Sequence, residues 1–216
     1  MKKIDTRKIS AVGMFCALAF IAMVMIKIPV VLFLKYEPKD VIITICGLIY
    51  GPIYSLAVSV IVSLIEMITV SGTGFIGFIM NVLSTVAFAC TAAYIYKKGK
   101  TIKAAVIGLS SGVVLMTIVM ILWNYIMTPI YMGQSRAAVA TMLVPVFLPF
   151  NLLKGSINAT LTYLLYRPVI KILRSAKLAP PSEAHGSKKT NMFILTACLL
   201  ILATCILIIL AYNGII

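Results

Sequence analysis

Residues 104–127 read AAVIGLSSGVVLMTIVMILWNYIM and hold no Asp, Glu, Lys or Arg. As a helix, a run of this length extends about 36 Å at ~1.5 Å per residue, more than the ~30 Å hydrocarbon core of a bilayer. Lys103 precedes the run, and Pro129 is expected to stop it. Further apolar runs lie on both sides, at Ile9–Ile28, Val41–Tyr50, Ile53–Thr69, Phe78–Tyr96, Leu143–Leu173 and Met192–Tyr212. Val41–Tyr50 is short and ends at Gly51-Pro52, a tight turn that places Pro52 in the first turn of the next helix. The pattern predicts an all-α integral membrane protein, a six-helix bundle over residues 1–178. A flexible linker over 179–191 and one extra C-terminal transmembrane helix over 192–216 follow it.

Composition agrees. Charged residues make up 11% of the chain, against about a quarter in soluble domains. The net charge of +14 does not point to nucleic acid, because the cations sit in short clusters between the spans. Lys2, Lys3, Arg7 and Lys8 form one cluster, Lys97, Lys98, Lys100 and Lys103 a second, and Arg167, Lys171, Arg174, Lys177, Lys188 and Lys189 a third. With seven spans all three fall on one side, which the positive-inside rule makes the cytoplasm. The protein is therefore expected in the plasma membrane, with the N-terminus cytoplasmic and the C-terminus extracellular. The opening MKKIDTRK resembles a secretory leader, but no small-residue cleavage site follows, so the first helix is expected to be retained.

Polar residues inside spans are costly, so each is a functional candidate. Asn151, Lys154 and Asn158 share one helix face at i, i+3, i+7, and Gly155 beside them leaves room for something to approach. Glu66, Asn81 and Asn124 are expected in the same outer half. The bland alternative makes each Asn a helix-packing contact and pairs Lys154 with Glu66. Phe33, Tyr36, Trp123, Tyr125 and Tyr131 cluster near the outer loops, as an aromatic belt or as stacking groups. Amides and ring faces in an apolar pocket suit a flat heteroaromatic ligand. The cysteines show no CxxC pairing, no metal spacing occurs and His185 stands alone in the linker, so no enzyme, metal site or cofactor is expected. No Walker loop is present, so active transport would draw its energy from a partner. On the first helix, Gly13 and Ala17 stand four apart among small residues, a surface for close helix approach.

Four stretches carry a resemblance: FLKYEPKD at 33–40, SLIEMITVSGTGFIGFIMNVLST at 63–85, LWNYIMTPIYMG at 122–133 and VPVFLPFNLLKGSINA at 144–159. In this order and spacing the chain resembles the S-components of energy-coupling factor (ECF) transporters, most closely the riboflavin-specific ones. The resemblance implies a six-helix bundle with the vitamin near the extracellular side. It also implies a lid over Pro29–Asp40, which would include Phe33, Lys35, Tyr36 and Asp40. The implied ligand residues are Asn81, Asn124, Asn151 and Lys154, with Glu66. Gly13 and Ala17 would dock on an ECF transmembrane coupling subunit, itself joined to two cytoplasmic ATPase subunits. The loaded S-component would topple in the membrane to release vitamin inside. The seventh span departs from this pattern. Open alternatives are flavin mononucleotide as a further ligand, another vitamin, or a membrane assembly protein with no ligand.

Overall fold

The computed structural model describes residues 6–31, 34–70, 72–179 and 188–212. Phe33 and most of the expected linker lie outside the described residues. Among the described residues the chain forms seven helices and one hairpin. They are α1 (Thr6–Met25), β1 (Ile28–Val31), β2 (Leu34–Tyr36), α2 (Lys39–Tyr50) and α3 (Pro52–Thr69). Then come α4 (Gly74–Gly99), α5 (Ile102–Met132), α6 (Arg136–Ser175) and α7 (Lys188–Tyr212). Six of the seven are long and apolar enough to cross a membrane; α2 is the exception.

The short helix is the centre of the bundle. Nine of the twelve residues of α2 are buried, so its polar flanks cannot sit in water. Val41, Ile43, Ile45 and Cys46 pack with Phe15, Cys16 and Ala19 of α1, with Val58 and Val62 of α3, and with Ala89 and Leu173. Gly51 turns the chain from α2 into α3 at φ +108°, a value open to glycine and strained for other residues. Because α2 begins deep in the bundle, the antiparallel β1–β2 hairpin fills the space above it. Its register pairs Ile28 with Tyr36 and Pro29 with Lys35.

The helix ends follow capping chemistry. Thr101 accepts from the Ala104 N–H at the start of α5, and Ser135 accepts from the Ala138 N–H at the start of α6. Gly133 closes α5 in the left-handed conformation. The helix runs through Pro129, where the sequence predicts a stop; one lost backbone bond does not end a helix that has no water to unravel into. Two π-turns widen the long helices, Val86–Cys90 in α4 and Leu143–Phe147 in α6. The second contains Pro145 and ends two residues before Pro149, and the wider turn eases the crowding that proline rings cause in a regular α-turn. The helix α6 begins at Arg136, seven residues before the expected start, because this wider turn keeps it continuous. At the other end of the expected linker, Lys188–Asn191 are already helical.

Helices α4 and α5 cross closely at two glycines of α5. A Cβ on Gly108 would stand 2.8 Å from the Ala92 carbonyl oxygen, and one on Gly112 2.7 Å from that of Phe88. Gly155, expected to leave room for something to approach, admits α5: Val113 Cγ1 would be 2.9 Å from its Cβ. The helix α7 lies along α6, and Cys205 joins Val30, Tyr36, Phe150, Leu153 and Ile157 in one buried cluster behind the hairpin.

Candidate functional site

Chain direction brings the ends of α3 and α5, the start of α4 and the stretch Phe150–Lys154 of α6 together beneath the hairpin. They enclose a cavity of ≈ 480 Å³. From α4 come Ile76, Gly77, Met80, Asn81 and Ser84, one face at helical spacing. From α5 come Met120, Trp123, Asn124, Met127, Thr128, Tyr131 and Met132, and from α6 Phe150, Asn151 and Lys154. Glu66 and Val70 close the side, and Lys27, Leu34, Lys35 and Glu37 form the mouth. Four methionines and an indole make a soft, polarizable wall that adapts to a flat ring.

Under the cavity floor lies a polar cluster. Asp40 is 0% exposed and Lys39 is 1% exposed. Asp40 is ion-paired to Lys154 at 3.2 Å. Thr85 donates to its Oδ1 at 2.6 Å, and the Asn158 amide donates to its Oδ2 at 3.3 Å. The Tyr36 hydroxyl donates to Asn158 Oδ1 at 3.0 Å, tying the hairpin to α6. Burial first, and then the Asp40 charge, raise the Tyr36 phenol well above its usual range, so it stays a donor. Lys39 is paired with Glu66 and, at 3.3 Å, with Glu37; Lys27 reaches Glu37 at 3.9 Å.

The bland pairing of Lys154 with Glu66 is thus corrected: Lys154 serves Asp40, and Glu66 serves Lys39. Asp40, expected in the lid, sits in the first turn of α2, where the helix N-terminus also favours its charge. Asn81, Asn124, Asn151, Lys154, Glu66, Lys35, Trp123 and Tyr131 meet at the cavity. Tyr36 is buried behind it, and Tyr125 points away, 43% exposed. Lys39 and Ser84 were not singled out from the sequence. The signal for Lys39 was there, since two of the chain's five acids, Glu37 and Asp40, flank it.

The amides differ in what they have left to offer. The Asn124 amide donates to the Met120 carbonyl, and its Oδ1 accepts from Thr128. The Asn151 amide donates to the Phe147 carbonyl at 2.7 Å, which leaves Oδ1 for the cavity. The Ser84 hydroxyl is buried without a partner, and the half-buried Asn81 side chain makes no hydrogen bond among the described residues. Buried polar atoms of this kind cost free energy until something fills the cavity and bonds them. Among the described residues no group of His, Cys, Asp or Glu could hold a metal ion.

The profile described as "ECF transporter, substrate-specific component" matches residues 7–166. This chain belongs to that family. A protein named riboflavin transporter FmnP, from Bacillus subtilis (strain 168), is 29% identical over 188 residues, covering 80% of this chain and 98% of its own length. Riboflavin transporter RibU of Streptococcus thermophilus is 28% identical over 180 residues, covering 78% of this chain and 85% of its own. A solved structure described as the S component of a bacterial ECF transporter superposes with a TM-score of 0.67 at 27% identity. It covers 79% of this chain and 99% of that one. The chain is accordingly a multi-pass membrane transporter component of the S-component fold, and its family is not one of enzymes. The match ends at residue 166, before α7.

Proposed function

We propose that this S-component binds riboflavin and mediates its uptake, with energy supplied by ATPases on separate ECF subunits. The observation that carries the reading is the cavity: an apolar, methionine-rich slot with unspent hydrogen-bonding groups on Asn81, Ser84 and Asn151. A flavin ring needs that combination, with an apolar body and one edge of alternating donors and acceptors. The names of the relatives support riboflavin over other vitamins. The charges around the cavity are largely balanced in ion pairs, which suits an uncharged ligand.

The lysine-rich ends of α1, α4 and α6 are proposed to face the cytoplasm, with the hairpin outside and α7 emerging outward. Gly13 and Ala17 lie exposed on one face of α1, and a Cβ on Gly13 would meet nothing within 4 Å. That open face supports docking on the ECF transmembrane subunit, after which toppling of the loaded core would release vitamin inside.

Purification from riboflavin-fed cells tests the ligand. The protein should carry a yellow flavin absorption band and quench added riboflavin fluorescence. Asn81→Ala should weaken binding by about 3–10-fold, the worth of one neutral hydrogen bond. Colourless protein that leaves flavin fluorescence unchanged at micromolar concentration refutes the riboflavin reading and favours a different ligand or an assembly role.

A further inference from the structure

A second cavity, of ≈ 360 Å³, opens at the opposite, lysine-rich end of the bundle. Its charged rim comes from one face of α6, where Arg167, Lys171 and Arg174 follow at i, i+4, i+7. Tyr96 and Tyr166 line it too, their hydroxyls 3.0 Å apart and hydrogen-bonded to each other. Its inner wall is apolar, from Leu48, Leu109 and Ile170 among others. Among the described residues no carboxylate lines it, and the three acids described, Glu37, Asp40 and Glu66, all belong to the hairpin end.

We propose that this cavity binds a phosphate-bearing anion, and that the anion is the headgroup of an anionic phospholipid. The guanidinium of Arg167 offers a planar fork to phosphate oxygens and Lys171 a compact charge. The tyrosine hydroxyls supply further polar contacts. The apolar wall, at the level where the helices leave the membrane, accepts the first methylenes of an acyl chain and gives a free phosphate nothing. A basic pocket between transmembrane helices is the kind of place in which lipid headgroups lodge. The site is separate from the proposed vitamin cavity and does not depend on what that cavity binds.

Native mass spectrometry of the purified protein, in mixed micelles holding equimolar phosphatidylglycerol and phosphatidylcholine, tests it. The wild type should retain phosphatidylglycerol at least fivefold over phosphatidylcholine. The double variant Arg167→Gln/Lys171→Gln should lose most of that preference. A charge-matched double variant outside the cavity, Lys98→Gln/Lys103→Gln, should keep it within twofold. Both pairs should still fold, read as unchanged melting in detergent. Equal loss in both pairs overturns the proposal, because the preference would then be a diffuse surface potential. Absence of any preference in the wild type overturns it as well. A third arm adds millimolar inorganic phosphate: retention of the lipid supports the headgroup. Displacement by phosphate alone would support the phosphate chemistry and overturn the lipid as its source.

Discussion

A carboxylate in the interior of a membrane bundle stays charged only if donors surround it, and Asp40 has them from two other helices. Lys154 and Asn158 come from α6 and Thr85 from α4, while Lys39 stands next in the chain. Such a pair is weak evidence of net stability, but removing one partner is expensive, about 3–5 kcal/mol, because the other charge is stranded. Asp40→Asn and Lys154→Met should therefore each lower the melting temperature of the ligand-free protein by far more than the double variant does. Additive losses in a double-mutant cycle would show that the two do not act as a pair. At this scale the sequence was legible only in part. Lys154 and the asparagines stood out because each interrupts an apolar run. Asp40 was named only as part of the lid and Lys39 not at all, because both adjoin the polar stretch 35–38 and read as loop. Burial of their backbone against α4 and α6 is a tertiary fact that no local pattern encodes.

At the scale of elements, the spans were legible because lipid demands long uninterrupted apolar runs. Their breaks were not, since proline acts differently where no water competes for the freed carbonyl, as Pro129 shows. The hairpin was also unread: IPVV and LKY are too short for alternation to stand out. The crossing of α4 and α5 gives a sharp test. Gly112→Leu would drive a side chain into the Phe88 carbonyl and ring, 2.7 and 3.1 Å from the new Cβ. Overpacking of this kind costs about 1–3 kcal/mol or more, so melting should fall by several degrees and the cavity wall of α5 should shift with it. Unchanged melting and unchanged riboflavin binding in that variant would mean that the crossing is looser than this geometry. The extra helix α7 belongs at this scale too. Through Cys205 it shares a core with the hairpin and α6, so it backs the hairpin rather than standing apart.

For the whole molecule, the same substitution on a different helix should have the opposite character. Gly13→Leu projects into open space, so the isolated protein should melt and bind ligand as the wild type does. Co-purification with the ECF transmembrane subunit should be lost. Retained assembly would remove α1 as the docking face. One further consequence comes from the salt bridges at the hairpin end. Lys27 and Lys39 match Glu37 and Glu66, and Lys154 matches Asp40, so each grouping sums to zero. Moving one uncompensated charge through a membrane potential costs or gains about 2.3 kcal/mol per 100 mV. These ion-paired groups can change depth with no such work. Lys35 is the mouth cation outside these pairs, so riboflavin delivery in proteoliposomes should respond to voltage no more steeply than one charge allows, about 2.3 kcal/mol per 100 mV, and a steeper dependence would show that the pairs separate during transport.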